Sequence, residues 1–244
     1  MKKYIKNFLI LTILLSFLFT IGCSFQSSKA LKPVKISDKS IKYSNEKMEV
    51  DLKIPVISEL KDKNIEKKLN DKIEKYILSF KEEIEKMAEE DYKAHKETPE
   101  IPYNLHSAIS QYTVKYNKNG ILSIPTILYS YTGGAHGMTY KVSYNFNLND
   151  GSEILLKDLF KENIDYKSLI INEIKKQMKE NKDMMYFDDA FNTVSKLEDN
   201  HPFYIEDDGI VVYYGLYEIA PYAAGIQEFK IPFTTLKDKI KFDF

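Results

Sequence analysis

The chain has 244 residues, 43% hydrophobic and 29% charged, a balance that suits a packed core and excludes wholesale disorder. Its 35 basic residues, all lysine, nearly cancel 36 acidic ones, which leaves no basic stripe for a nucleic-acid grip. Arginine and tryptophan are both missing, so recognition falls to Tyr, Phe, backbone and point charges rather than to guanidinium forks. The length allows one large or two small domains.

Residues 1–22 read as an export signal: Lys2, Lys3 and Lys6 precede an apolar run from Phe8 to Ile21, and the small Gly22 follows. The run is short of the roughly 20 residues a permanent span needs. Cys23 is the only cysteine, so no disulfide forms within the chain. Thr20-Ile21-Gly22-Cys23 looks like a bacterial lipobox, with Thr20 where Leu is commoner. The expectation is an extracytoplasmic lipoprotein moored to the cell membrane through lipid on Cys23; an uncleaved anchor or a plain secretory signal is the alternative. Cleavage before Cys23 removes three lysines and no acid, taking the net charge from −1 to −4. Residues 23–32 read as a polar tether.

The folded body divides at residue 151 into an N-terminal α+β domain over 33–151 and a smaller C-terminal α+β unit over 152–244. From Val34 to Val56 the pattern is strand, turn, strand, and period-two alternation buries Met48, Val50, Leu52 and Ile54 on one face. Ile65, Leu69, Ile73, Tyr76, Ile77, Phe80, Ile84 and Met87 recur at three- and four-residue steps, predicting one long amphipathic helix packed on the first sheet. A meander follows Pro99: Ala108 to Tyr116, a turn over Asn117 to Gly120, Ile121 to Tyr131, a Gly-rich loop, and Thr139 to Leu148 closed by Asn149-Asp150-Gly151. The second unit begins with Ile154-Leu155-Leu156 and a helix from Asp165 to Lys179. A hairpin of Phe203 to Glu206 with Ile210 to Tyr214 comes next, and Gln227 to Phe233 closes the unit. Strands and helices segregate, which reads as α+β with antiparallel sheets.

The densest local signal is Tyr131-Thr132-Gly133-Gly134-Ala135-His136-Gly137, where glycines let the backbone approach itself or a ligand and a histidine sits between aromatic-rich strands. It lacks the endings of a phosphate loop and the spacing of a dinucleotide loop. His136 reads as a ligand contact or a general base, or as an imidazole pinned by hydrogen bonds to hold a tight turn. This run, together with Asn145-Phe146-Asn147-Leu148-Asn149-Asp150-Gly151 and Leu156-Lys157-Asp158-Leu159-Phe160, resembles an extracytoplasmic domain family. That family is shared by PdaC-type peptidoglycan deacetylases, ahead of their catalytic module, and by the lysozyme-sensing anti-sigma factor RsiV, as its outer domain. Glu218-Ile219-Ala220-Pro221-Tyr222-Ala223-Ala224-Gly225 looks like the family's C-terminal signature.

The resemblance implies a non-catalytic recognition domain whose partner is a lysozyme-like protein, with a peptidoglycan-binding accessory module and a purely structural envelope protein as alternatives. Partner contacts are expected at Tyr131, Gly133, Gly134, His136 and Glu218 from the residues themselves, and the resemblance adds Pro221 and Tyr222, with the reading that Tyr222 packs inward held against it. No enzyme is expected: there is no Gly-x-Ser-x-Gly elbow, and Ser130 near His136 has no evident orienting acid. No cofactor or metal is expected either, since His95, His106, His136 and His201 are scattered and Asp188-Asp189 reads as a helix start.

Overall fold

The computed structural model describes residues 32–242 and 244. The signal over 1–22, Cys23 and all of the tether except Lys32 lie outside the described residues. Among the described residues no helix is long and apolar enough to cross a membrane.

The first sheet has seven strands: β1 (Lys35–Ser44), β2 (Met48–Ser58), β3 (His106–Tyr112), β4 (Tyr116–Lys118), β5 (Ile121–Tyr131), β6 (Met138–Asn147) and β7 (Ser152–Glu153). They run in the order β1-β2-β3-β5-β6-β7, with β4 also paired to β5. Every pairing is antiparallel except β2 with β3, which is parallel. A parallel pair needs a long crossover, and α1 (Lys63–Glu97) supplies it. The Asp62 carboxylate starts this helix by accepting from the amides of Asn64 and Ile65, and Pro99 ends it by disfavouring helical backbone at Thr98.

Leu69, Ile73, Ile77, Ile84 and Ala88 of α1 are buried against Val50, Leu52 and Ile54 of β2, Ala108 of β3, Leu122, Ile124 and Leu128 of β5, and Phe146 of β6. The spacing is the one expected from the sequence, with two departures. Tyr76 is 50% exposed and Met87 39% exposed, because α1 lies over β2 and β3 and leaves the β6 side of the sheet partly bare. The expected single strand over Ala108 to Tyr116 is also broken in two. Pro125 of β5 has no N–H to offer, and opposite it the chain bulges at Val114 before pairing resumes at Lys115, whose amide donates to Ser123 O. The turn into β5 is tighter than predicted: Asn119 and Gly120 both take positive φ, 52° and 75°, as a two-residue hairpin of the mirror type requires.

The C-terminal elements are a 3-10 turn (Leu156–Leu159), α2 (Tyr166–Glu180), α3 (Ala190–Ser195), β8 (Phe203–Glu206), β9 (Gly209–Tyr214), β10 (Gln227–Pro232) and α4 (Phe233–Leu236). Asp189 precedes α3, in keeping with the reading of Asp188-Asp189 as a helix start. The three strands form a second antiparallel sheet in the order β10-β9-β8. Phe203, Ile205, Ile210, Val212, Tyr214, Phe229 and Ile231 pack on Ile170, Ile174 and Met178 of α2. This core also takes in Tyr116 and Ile121 of the first sheet. The other face buries Tyr204, Val211 and Tyr213, so every residue of β9 is buried and its sequence is a continuous apolar run rather than an alternating one. The observed class is the expected α+β.

Between the two sheets lies a small polar joint. Ser123 Oγ accepts from the Ile205 amide at 2.9 Å and donates to Asn145 Oδ1 at 2.6 Å, while Asn145 Nδ2 donates to Phe203 O at 2.8 Å. All three bonds are buried. They tie β5 and β6 to β8 at fixed register, and with them the ends of both sheets.

Candidate functional site

The loop between β5 and β6 turns back on itself at residues 132–137. Gly133 takes φ of +88°, and its carbonyl accepts from Asn104 Nδ2 at 3.2 Å. Gly137 lies under the ring of Tyr129, and a Cβ added there would overlap that ring. These two glycines are therefore required by the turn. A Cβ on Gly134 would meet only the His136 carbonyl oxygen, at an ordinary 3.9 Å, so the turn does not demand glycine at that position.

His136 Nδ1 lies 3.0 Å from Gly137 O. A carbonyl only accepts, so Nδ1 carries a proton, and Nε2 faces the Tyr217 hydroxyl 3.3 Å away. The Tyr222 hydroxyl donates to the same Gly137 carbonyl at 2.8 Å, across 85 residues of chain. The rings of His136 and Tyr222 stack with centroids 4.0 Å apart and planes 25° apart, and Tyr217 closes the group at 5.7 Å from Tyr222. The two candidate loops thus form one surface. The His136 ring is hydrogen-bonded to the turn and remains exposed. Tyr222 is half-buried, its hydroxyl directed to the neighbouring loop.

Pro221, at φ of −61°, leads into the short 3-10 turn Tyr222–Ala224 that presents this ring. Glu218 is exposed and has no ion-pair partner among the described residues. Burial first, and the Glu218 carboxylate second, hold the Tyr214 phenol well above the ordinary tyrosine range, so the strand beneath this loop stays neutral. Tyr131 pairs with Ser107 of β3, and no ring contact joins it to the cluster among the described residues. Tyr217 was not singled out by the sequence. It is 49% exposed with φ of +65°, a backbone conformation few bulky residues adopt and one that residue type alone does not announce. No three His, Cys, Asp or Glu side chains converge to hold a metal among the described residues.

A hydroxyl, an imidazole and two phenol rings at a sheet end can stack on a flat partner and exchange hydrogen bonds with it. A carboxylate next to them adds negative charge.

Residues 41–139 match the family model described as Deacetylase PdaC, and residues 157–234 match that of Protein of unknown function (DUF3298). The chain is 28% identical over 172 residues to peptidoglycan-N-acetylmuramic acid deacetylase PdaC of Bacillus subtilis (strain 168), covering 69% of this chain and 34% of that protein. It is 27% identical over 200 residues to the anti-sigma-V factor RsiV of the same organism, covering 79% of this chain and 65% of the relative. The matches therefore span about a third of one relative and just under two thirds of the other. A crystal structure of a DUF3298 family member from Bacteroides fragilis superposes with a TM-score of 0.68 at 20% identity, covering 86% of this chain and 96% of that one. A second, from Pseudomonas aeruginosa, gives 0.57 at 18% identity, covering 86% and 95%. The two solved structures share the fold.

Proposed function

For a chain that shares the extracytoplasmic domain family represented in PdaC and RsiV, we propose a non-catalytic recognition domain of the cell envelope that binds a lysozyme-like protein. The observation that carries this reading is the bond from Tyr222 to Gly137 O with the stack of Tyr222 on His136, which makes one contact surface of two distant loops. Pro221 lowers the entropy lost when the loop is ordered, Tyr222 and Tyr217 offer flat amphipathic rings, and Glu218 meets a basic partner. Gly133 and Gly134 belong to the same loop, and Tyr131 ends the strand that leads into it. Mooring through lipid on Cys23 would hold it outside the membrane, where such a partner acts.

The test is capture of lysozyme by the purified chain at two salt concentrations, with purified peptidoglycan as the parallel arm. Saturable capture that weakens with salt is expected. Tyr222→Ala is expected to weaken it by about 2 kcal/mol if the ring is a central anchor. Retention on peptidoglycan with no affinity for lysozyme would replace the protein partner by the wall polymer, and unchanged affinity in a folded Tyr222→Ala chain would remove that ring from the contact.

A further inference from the structure

Where α1 leaves the sheet bare, a groove of about 540 Å³ runs between the helix and β6, lined by Tyr76, Phe80, Glu83 and Met87 on one side and Met138 and Tyr140 on the other. Ser130 and Thr132 close its end, so it opens directly beside the loop that carries His136. Tyr76 and Tyr140 are each half exposed, and exposed aromatic and thioether side chains gathered around one groove mark an interaction surface.

Charge decides what fits there. No lysine lines the groove, although the chain carries 35 basic residues. The one ionised side chain is Glu83, which has neither an ion pair nor a hydrogen bond among the described residues. Of the other acidic residues on this stretch of the helix, Glu74, Glu85, Glu89 and Glu90 are paired with Lys39, Lys81, Lys47 and Lys86, and Glu82, unpaired like Glu83 among the described residues, lies outside the groove lining. A free carboxylate in one groove with two half-exposed phenol rings suits a cation carried on an apolar stem, with the stem against the rings and the head at the carboxylate.

We propose that this groove docks a cationic, apolar-anchored polypeptide segment of the protein partner, extending the His136 and Tyr222 surface across Thr132. The proposal rests on the protein-binding reading above, and its test separates the two. The full chain, reconstituted in phosphatidylcholine vesicles with empty vesicles as blank, is titrated with a labelled, end-blocked hexapeptide of alternating arginine and leucine. Anisotropy gives the affinity, and lysozyme is measured in parallel. Saturable peptide binding is expected, weakened by salt and at least ~3-fold by Glu83→Lys or Tyr140→Ala, with Glu97→Lys at the far end of the helix as the unaffected control. Both groove positions are exposed, so the variants keep the fold, which circular dichroism checks. No peptide binding, or binding that ignores both substitutions, overturns the assignment. So does Tyr140-dependent binding of a soluble wall oligosaccharide in place of the peptide. If the peptide meets the criteria while lysozyme does not bind, the groove assignment stands and the lysozyme reading falls.

Discussion

Removing His136 and Tyr222 singly and together measures whether the two loops act as one unit. Tyr222→Phe deletes only the 2.8 Å bond to Gly137 O, and that carbonyl keeps His136 Nδ1–H as a donor, so no buried acceptor is orphaned. The cost is then about 0.5–1 kcal/mol, the net value of one satisfied bond. Tyr222→Ala also removes a ring stacked at 4.0 Å on His136, which adds about 0.5–1.5 kcal/mol beyond lost burial. His136→Asn, whose side-chain amide stands near the place of Nδ1–H and keeps a donor on Gly137 O, removes the same stack from the other side and frees the Tyr217 hydroxyl. The double variant therefore loses less than the sum of the singles, by a coupling of about 1 kcal/mol. Urea unfolding followed by circular dichroism supplies the four free energies, provided the slope with denaturant is constant across the set. Additivity within about 0.3 kcal/mol would mean that the loops lie side by side without supporting one another, and the single-surface reasoning would fail.

Two further outcomes follow from the joint and from a partly buried imidazole. Asn145→Leu leaves Phe203 O without its donor and Ser123 Oγ without its acceptor, and is expected to destabilise by about 2–4 kcal/mol in the same urea assay; a loss below about 1 kcal/mol would show that the joint is not a stabilising contact. His201, whose Nε2 donates to Tyr213 O at 3.1 Å, is held down to about 4 by burial, against an ordinary 6.5. The unfolded chain thus takes up the proton first as pH falls, so the stability from the neutral ring is fully present above pH 6.5 and is lost as pH drops toward 4, by about 3 kcal/mol. His201→Gln is expected to flatten that part of the profile relative to the parent chain, and parallel profiles would refute the assignment.

The buried stripe of α1 was legible because packing on a sheet imposes three- and four-residue spacing, and Leu69, Ile73, Ile77 and Ile84 obey it. Tyr76 and Met87 share that stripe but escape burial, since their fate depends on where the helix crosses the sheet, and no local pattern encodes that. The parallel pairing of β2 with β3 was hidden for a related reason: alternation fixes which face a residue takes, not which strand it neighbours. The break at Val114 depended on Pro125 facing it from another strand. In the candidate site, the turn residues Gly133 and His136 and the Pro221-Tyr222 loop stood out by composition. Their adjacency did not, because it is set by Asn145 and Ser123 docking one sheet on the other. Tyr217 joins through a positive φ that a tyrosine does not advertise.

The residues that carry the family resemblance divide by what they touch. Asn145 makes the joint, Asn147 Oδ1 accepts from the Asn149 amide at 3.0 Å, Asp150 Oδ1 accepts from the Ser152 amide at 2.8 Å, and Asp158 Oδ2 accepts from the Leu155 amide at 3.0 Å. Each of these side chains satisfies backbone or neighbouring polar groups inside the fold, a demand that is the same whatever the partner. Gly137 serves the turn in the same way, through its contact with Tyr129. Such motifs can be shared by proteins with different partners because they fix local turns and, through Asn145, how the two sheets meet. Under the proposed function, discrimination between partners falls to side chains that reach solvent from that frame: Tyr217 and Glu218 on one side of the loop, Tyr76, Glu83 and Tyr140 on the other. Substituting these five should change what the chain binds without changing how it folds, whereas substituting the motif asparagines and aspartates should do the reverse.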